Sequence, residues 1–62
     1  MKITIWDQRQ QKILAEFQSS WVPKLGERIT VDPDRPNGHR VQDIEPTYDP
    51  EANDWSIKLD VH

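Results

Sequence analysis

Trp55-Ser56-Ile57-Lys58-Leu59-Asp60-Val61 alternates apolar and polar side chains without a break. Trp55, Ile57, Leu59 and Val61 fall on one face, and Ser56, Lys58 and Asp60 on the other. Steps of two residues wrap around a 3.6-residue period, so no helix gathers those four apolar side chains into one stripe. The segment reads as a half-buried strand, with Trp55 expected in the core.

Working outward, Lys2 to Trp6 alternates in the same way, with Ile3 and Ile5 on one side and Lys2, Thr4 and Trp6 on the other. Val22-Pro23-Lys24-Leu25-Gly26-Glu27-Arg28-Ile29-Thr30-Val31 is a turn feeding a strand. Proline presets the turn, glycine supplies the positive φ that ends it, and the strand is expected over Glu27–Val31. Arg40-Val41-Gln42-Asp43-Ile44-Glu45 is a further strand, continuing past Pro46 to Tyr48. Val41 and Ile44 stand three apart, which requires a bulge or a bend. Two prolines and Asn37-Gly38 make 32–38 a rigid loop, and Asp49-Pro50-Glu51-Ala52-Asn53-Asp54 is a second loop.

The segment from Asp7 to Phe17 has two readings. As a helix, Asp7 is the N-cap, Gln10 completes a capping box, and Gln10, Ile13, Leu14, Phe17 and Trp21 share a face. As a hairpin, 7–12 is a polar loop and Ile13, Ala15 and Phe17 alternate with Leu14 and Glu16. The hairpin is preferred because the flanking segments are strands and sequential strands usually pair. The fold class is therefore all-β: one 62-residue domain, a small five-stranded SH3-like barrel with a hairpin or one short helix near 8–17.

Composition narrows the functional classes. There is no cysteine for a disulfide or thiolate metal site, and two histidines are too few for a histidine-rich one. No metal or other cofactor is expected. Nothing resembles a signal peptide or a membrane span, and the expected compartment is the cytoplasm. Up to Gln42 seven basic side chains meet five acidic ones, whereas from Asp43 onward six acids face Lys58 alone. This acidic C-terminal third argues against direct nucleic-acid binding and for a protein partner with a basic surface. A core this small also points to a homodimer or higher homo-oligomer.

No catalytic set emerges. Ser19, Ser20 and Ser56 lie in no nucleophile elbow, and Glu45 can pair with Asp60 as acid and base, but so small a barrel offers little water-excluding pocket to shift their pKa values. Counted from Asp32, the loop fails the calcium pattern, since its fifth, sixth and twelfth residues are Pro36, Asn37 and Asp43. The expectation is a non-enzymatic protein. Its candidate partner-binding residues are Tyr48, Asp49, Glu51 and Asp54, where aromatic side chains border clustered acids, together with Trp6 and Trp21.

Pro23-Lys24-Leu25-Gly26-Glu27, Val41-Gln42-Asp43-Ile44 and the alternating strand Ile57–Val61 resemble the outline of small SH3-like barrels encoded by phages, plasmids and other mobile elements. That resemblance is architectural and transfers no active-site residue. Val41-Gln42-Asp43-Ile44 departs from the Val-Gln-Ile-Tyr motif of the plasmid-borne SH3-like dihydrofolate reductase, and that activity is not carried over. The resemblance implies an accessory, counter-defence type of protein that occupies a host protein. The alternatives are a small phage assembly subunit, or a small-molecule or enzyme site at an oligomer interface.

Overall fold

The computed structural model describes residues 1–31, 34 and 37–62, so the predicted 32–38 loop lies largely outside the described residues. Five strands follow in order: β1 Lys2–Asp7, β2 Lys12–Gln18, β3 Arg28–Ile29, β4 His39–Asp49 and β5 Asp54–Val61. Among the described residues there is no helix. The strands form one mixed sheet, β2-β1-β5-β4-β3, curled into a half-barrel. The all-β class read from the sequence is the observed one.

Asp7 settles the ambiguity of the first segment. Its Oδ1 accepts from the backbone N–H of Arg9 at 2.9 Å and of Gln10 at 3.4 Å, which is capping geometry. The cap serves a four-residue hairpin loop, however, closed by Gln11 N–H donating to the Asp7 carbonyl at 2.7 Å with Gln11 at φ 54°. The hairpin wins because it pairs Ile3 with Phe17 and Ile5 with Ala15 along β1. A helix there would leave that edge of β1 without backbone partners.

The two ends of the chain meet at the centre of the sheet. β1 and β5 run parallel, with Ile3 opposite Ile57, Ile5 opposite Leu59 and Asp7 opposite Val61. Parallel pairing needs a long crossover, and β2 to β4 supply it. Among the described residues, these central strands, flanked by β2 and β4, contribute five of the six members of the buried hydrophobic core: Ile3, Ile5, Ile57, Leu59 and Val61. Val41 of β4 is the sixth. Met1, Leu14, Ala15, Val22, Ile29, Val31 and Ile44 pack around this inner face.

β4 carries the irregularity that the Val41–Ile44 spacing demands. Val41 pairs with Val61 and Asp43 with Asp60, leaving Gln42 as the extra residue of a bulge. The bulge lets both Val41 and Ile44 face inward. Pro46 is tolerated inside the strand because β3, the neighbour on that side, reaches only Arg40 and His39. β3 is shorter than the predicted Glu27–Val31. Ile29 lies opposite His39, the first residue of β4, and the pairing among the described residues ends there. The preceding turn spans Lys24–Glu27: Glu27 N–H donates to the Lys24 carbonyl at 3.1 Å and Gly26 takes φ 84°, as expected of the glycine, whereas Pro23 stands just before the turn rather than within it.

One core assignment needs correction. Trp55 shares the inner face with Ile57, Leu59 and Val61, yet it is 46% exposed. It occupies the second position of β5, where the inner face continues beyond the side chains that cover it.

Candidate functional site

The uncovered end of the inner face is built by strand register. Tyr48 of β4 lies directly opposite Trp55 of β5. Their rings meet edge to face, with centroids 5.3 Å apart and planes at 64°. The Tyr48 hydroxyl donates to Asn53 Oδ1, and Asn53 takes the left-handed conformation, φ 51°, that closes the loop. Asparagine suits that conformation because its short polar side chain bonds locally. The pair is thus held in place while both rings stay nearly half exposed. Phe17, opposite Ile3 on β2, adds a third exposed aromatic ring to the same face.

The acidic residues beside this edge divide by task. Asp49 Oδ1 accepts from Glu51 N–H at 3.0 Å, and Asp54 Oδ1 accepts from Trp55 N–H at 2.8 Å. Asp54 Oδ2 also stands 3.5 Å from the Met1 amine. Both aspartates therefore shape the turn. The Glu51 side chain is exposed and makes no hydrogen bond or ion pair among the described residues.

Of the six predicted contact residues, Tyr48, Asp49, Glu51 and Asp54 come together and the other two do not join them. Trp6 is half-buried on the outer face, with Lys58 Nζ 5.3 Å from its ring centroid. Trp21 is 62% exposed on the connection between β2 and β3. Its backbone is fixed by Ser19, whose Oγ accepts from Trp21 N–H at 3.0 Å and donates to the Trp21 carbonyl at 2.9 Å.

Glu45 and Asp60, weighed as an acid–base pair, lie on either side of Lys58. Glu45 lies opposite Lys58, whereas Asp60 lies opposite Asp43 and 3.8 Å from Lys58 Nζ. Among the described residues, one acid–histidine ion pair forms, and sequence reading missed it. Asp7 and His39 are buried together on the inner face, with Nε2 3.6 Å from Oδ2. Asp7 shares the parity of Ile3 and Ile5, which is the signal that could have revealed its burial. Sealed from solvent, this pair offers a substrate no approach. Among the described residues no group of three or more potential metal-ligating side chains forms, and no helix is long and apolar enough to cross a membrane.

On the outer face, Arg28, Asn37, Gly38, Arg40, Gln42 and His62 line an open polar groove of about 440 Å³. No family model, curated protein or solved structure matches the chain.

Proposed function

We propose that this protein is a non-enzymatic, cytoplasmic protein-binding module that uses the Tyr48–Trp55 edge to contact a partner with a basic surface. The observation that carries this reading is the position of the two rings. They extend the core face, are locked to each other and to the turn, and stay nearly half exposed. Preordered aromatic rings supply contact area at low entropic cost, and such rings dominate binding energy at protein interfaces. Glu51, beside them and unengaged, contributes the long-range attraction that accelerates encounter with a positive patch. The resemblance to mobile-element barrels extends the proposal to an accessory protein that occupies a functional surface of a host protein.

A second copy of the chain is the other reading, favoured by Phe17, Tyr48 and Trp55 lying on one uncovered face. A symmetric dimer that brings two acidic loops together repels itself, which places the basic partner first.

The test is capture from a lysate of the presumed host, followed by kinetics with the purified partner. Trp55→Ser should lose the partner. Glu51→Lys should slow association and flatten its salt dependence without changing the unfolding midpoint. Equal capture by Trp55→Ser, or an association rate indifferent to Glu51→Lys and to salt, refutes the assignment. Sedimentation of the free protein as a concentration-independent monomer removes the second-copy reading.

A further inference from the structure

We propose that the outer-face groove at the β3–β4–β5 end binds the phosphate group of a small metabolite. Arg28 and Arg40 are direct partners across β3 and β4. Arg40 and His62 exchange backbone hydrogen bonds of 3.3 and 3.1 Å. Their neighbours Ile29, Val41 and Val61 turn toward the core, so the three basic side chains share the outer face. Adjacent strands lie about 4.8 Å apart, which sets the three in a row about 10 Å long.

Like charges directly opposite each other on a sheet are destabilising. Among the described residues, no carboxylate lies within ion-pair distance of either guanidinium. Arg40 Nη1 donates to the Gly26 carbonyl at 3.3 Å, a neutral acceptor that orients the group without cancelling its charge. In a chain of net charge −3, two arginines thus stand side by side with no described carboxylate against them. A bound dianion removes that repulsion, and the planar guanidinium fork matches phosphate oxygens two at a time.

The remaining lining fits the same ligand. Asn37 and Gln42 bring side-chain amides to the lining. A volume of about 440 Å³ lies in the range of small-molecule sites. Among the described residues no Trp, Tyr or Phe lines the groove. The chain's net negative charge repels a polyanion, which favours a single phosphate group over a nucleic-acid backbone.

Inorganic phosphate, glycerol phosphate and a single-stranded oligonucleotide are the probes, added to the ¹⁵N-labelled full chain at low ionic strength with chloride matched. Inorganic phosphate and glycerol phosphate should shift the amides of Arg28, Gly38, Arg40 and His62 saturably and raise the unfolding midpoint. Arg28→Gln should weaken that binding about tenfold, the effect of losing one charge-assisted contact. In phosphate-free buffer Arg28→Gln should unfold at no lower temperature than the parent, because repulsion is relieved. Lys58→Gln, outside the groove, should keep the full response. The proposal is overturned if shifts are unsaturable or equal with chloride, or if Arg28→Gln binds phosphate as tightly as the parent. Tighter binding of the oligonucleotide than of either small phosphate likewise overturns it.

Discussion

Gly26 and Gly38 both sit at positive φ, +84° and +66°, but the space around them differs. A Cβ at Gly26 meets nothing within 4 Å. A Cβ at Gly38 falls 2.5 Å from the Ile29 carbonyl oxygen and 3.0 Å from Thr30 Oγ1. Alanine at Gly26 therefore brings only left-handed strain of about 1–2 kcal/mol, offset by roughly 0.4–1 kcal/mol through a stiffer unfolded chain. The net loss there should be about 1 kcal/mol. Alanine at Gly38 adds a backbone collision. Ile29 is one of only two β3 residues, so relieving the contact disturbs its pairing with His39. Overpacking of this kind costs about 1–3 kcal/mol, which brings Gly38→Ala to about 2–4 kcal/mol in all. A domain of this size has about 3–9 kcal/mol in total, so a large share of its stability is at stake. Asparagine separates the two terms, because it tolerates left-handed backbone but still carries a Cβ. Urea unfolding followed by tryptophan fluorescence should find Gly26→Asn close to the parent and Gly38→Asn nearly as damaged as Gly38→Ala. Equal losses for alanine at the two glycines, or full rescue by Asn at Gly38, would refute the reasoning.

Asp7→Ala should lose about 1 kcal/mol more than Asp7→Asn in the same urea assay, since asparagine retains an acceptor for the Arg9 and Gln10 amides. Asp7→Asn should itself be less stable than the parent, because it alters a fully buried partner of His39. Leu59→Ala, at a site with no exposure, should cost about 2–5 kcal/mol. Trp55→Ala should cost less than Leu59→Ala despite the larger ring, because nearly half of Trp55 is in water. A Trp55→Ala loss equal to that of Leu59→Ala would mean that the ring belongs to the core.

Local signals were legible and neighbours were not. Alternation over Trp55–Val61 and Lys2–Trp6 identifies both central strands, and the Val41–Ile44 spacing identifies the bulge. Alternation sets which face a residue takes but carries no information on which strand lies beside it, so the parallel pairing of β1 with β5 was invisible. Trp55 was misplaced for a related reason: parity put it on the inner face, but coverage depends on how far neighbouring segments extend. Asp7 announced a cap correctly, and only pairing with Ile3 and Ile5 decided that the cap closed a hairpin. The acidic edge could be found because its residues are contiguous. Arg28, Arg40 and His62 are far apart in the chain, and only strand register makes them a row.

The most direct test of the account is amide and indole chemical-shift mapping of the labelled protein with its purified captured partner. The account predicts that the perturbed resonances centre on Phe17, Tyr48, Glu51 and Trp55, including the Trp55 indole, while the Trp6 indole on the opposite face stays in place. Perturbations centred on Trp6 and the outer face, with the Tyr48–Trp55 edge unmoved, would contradict it.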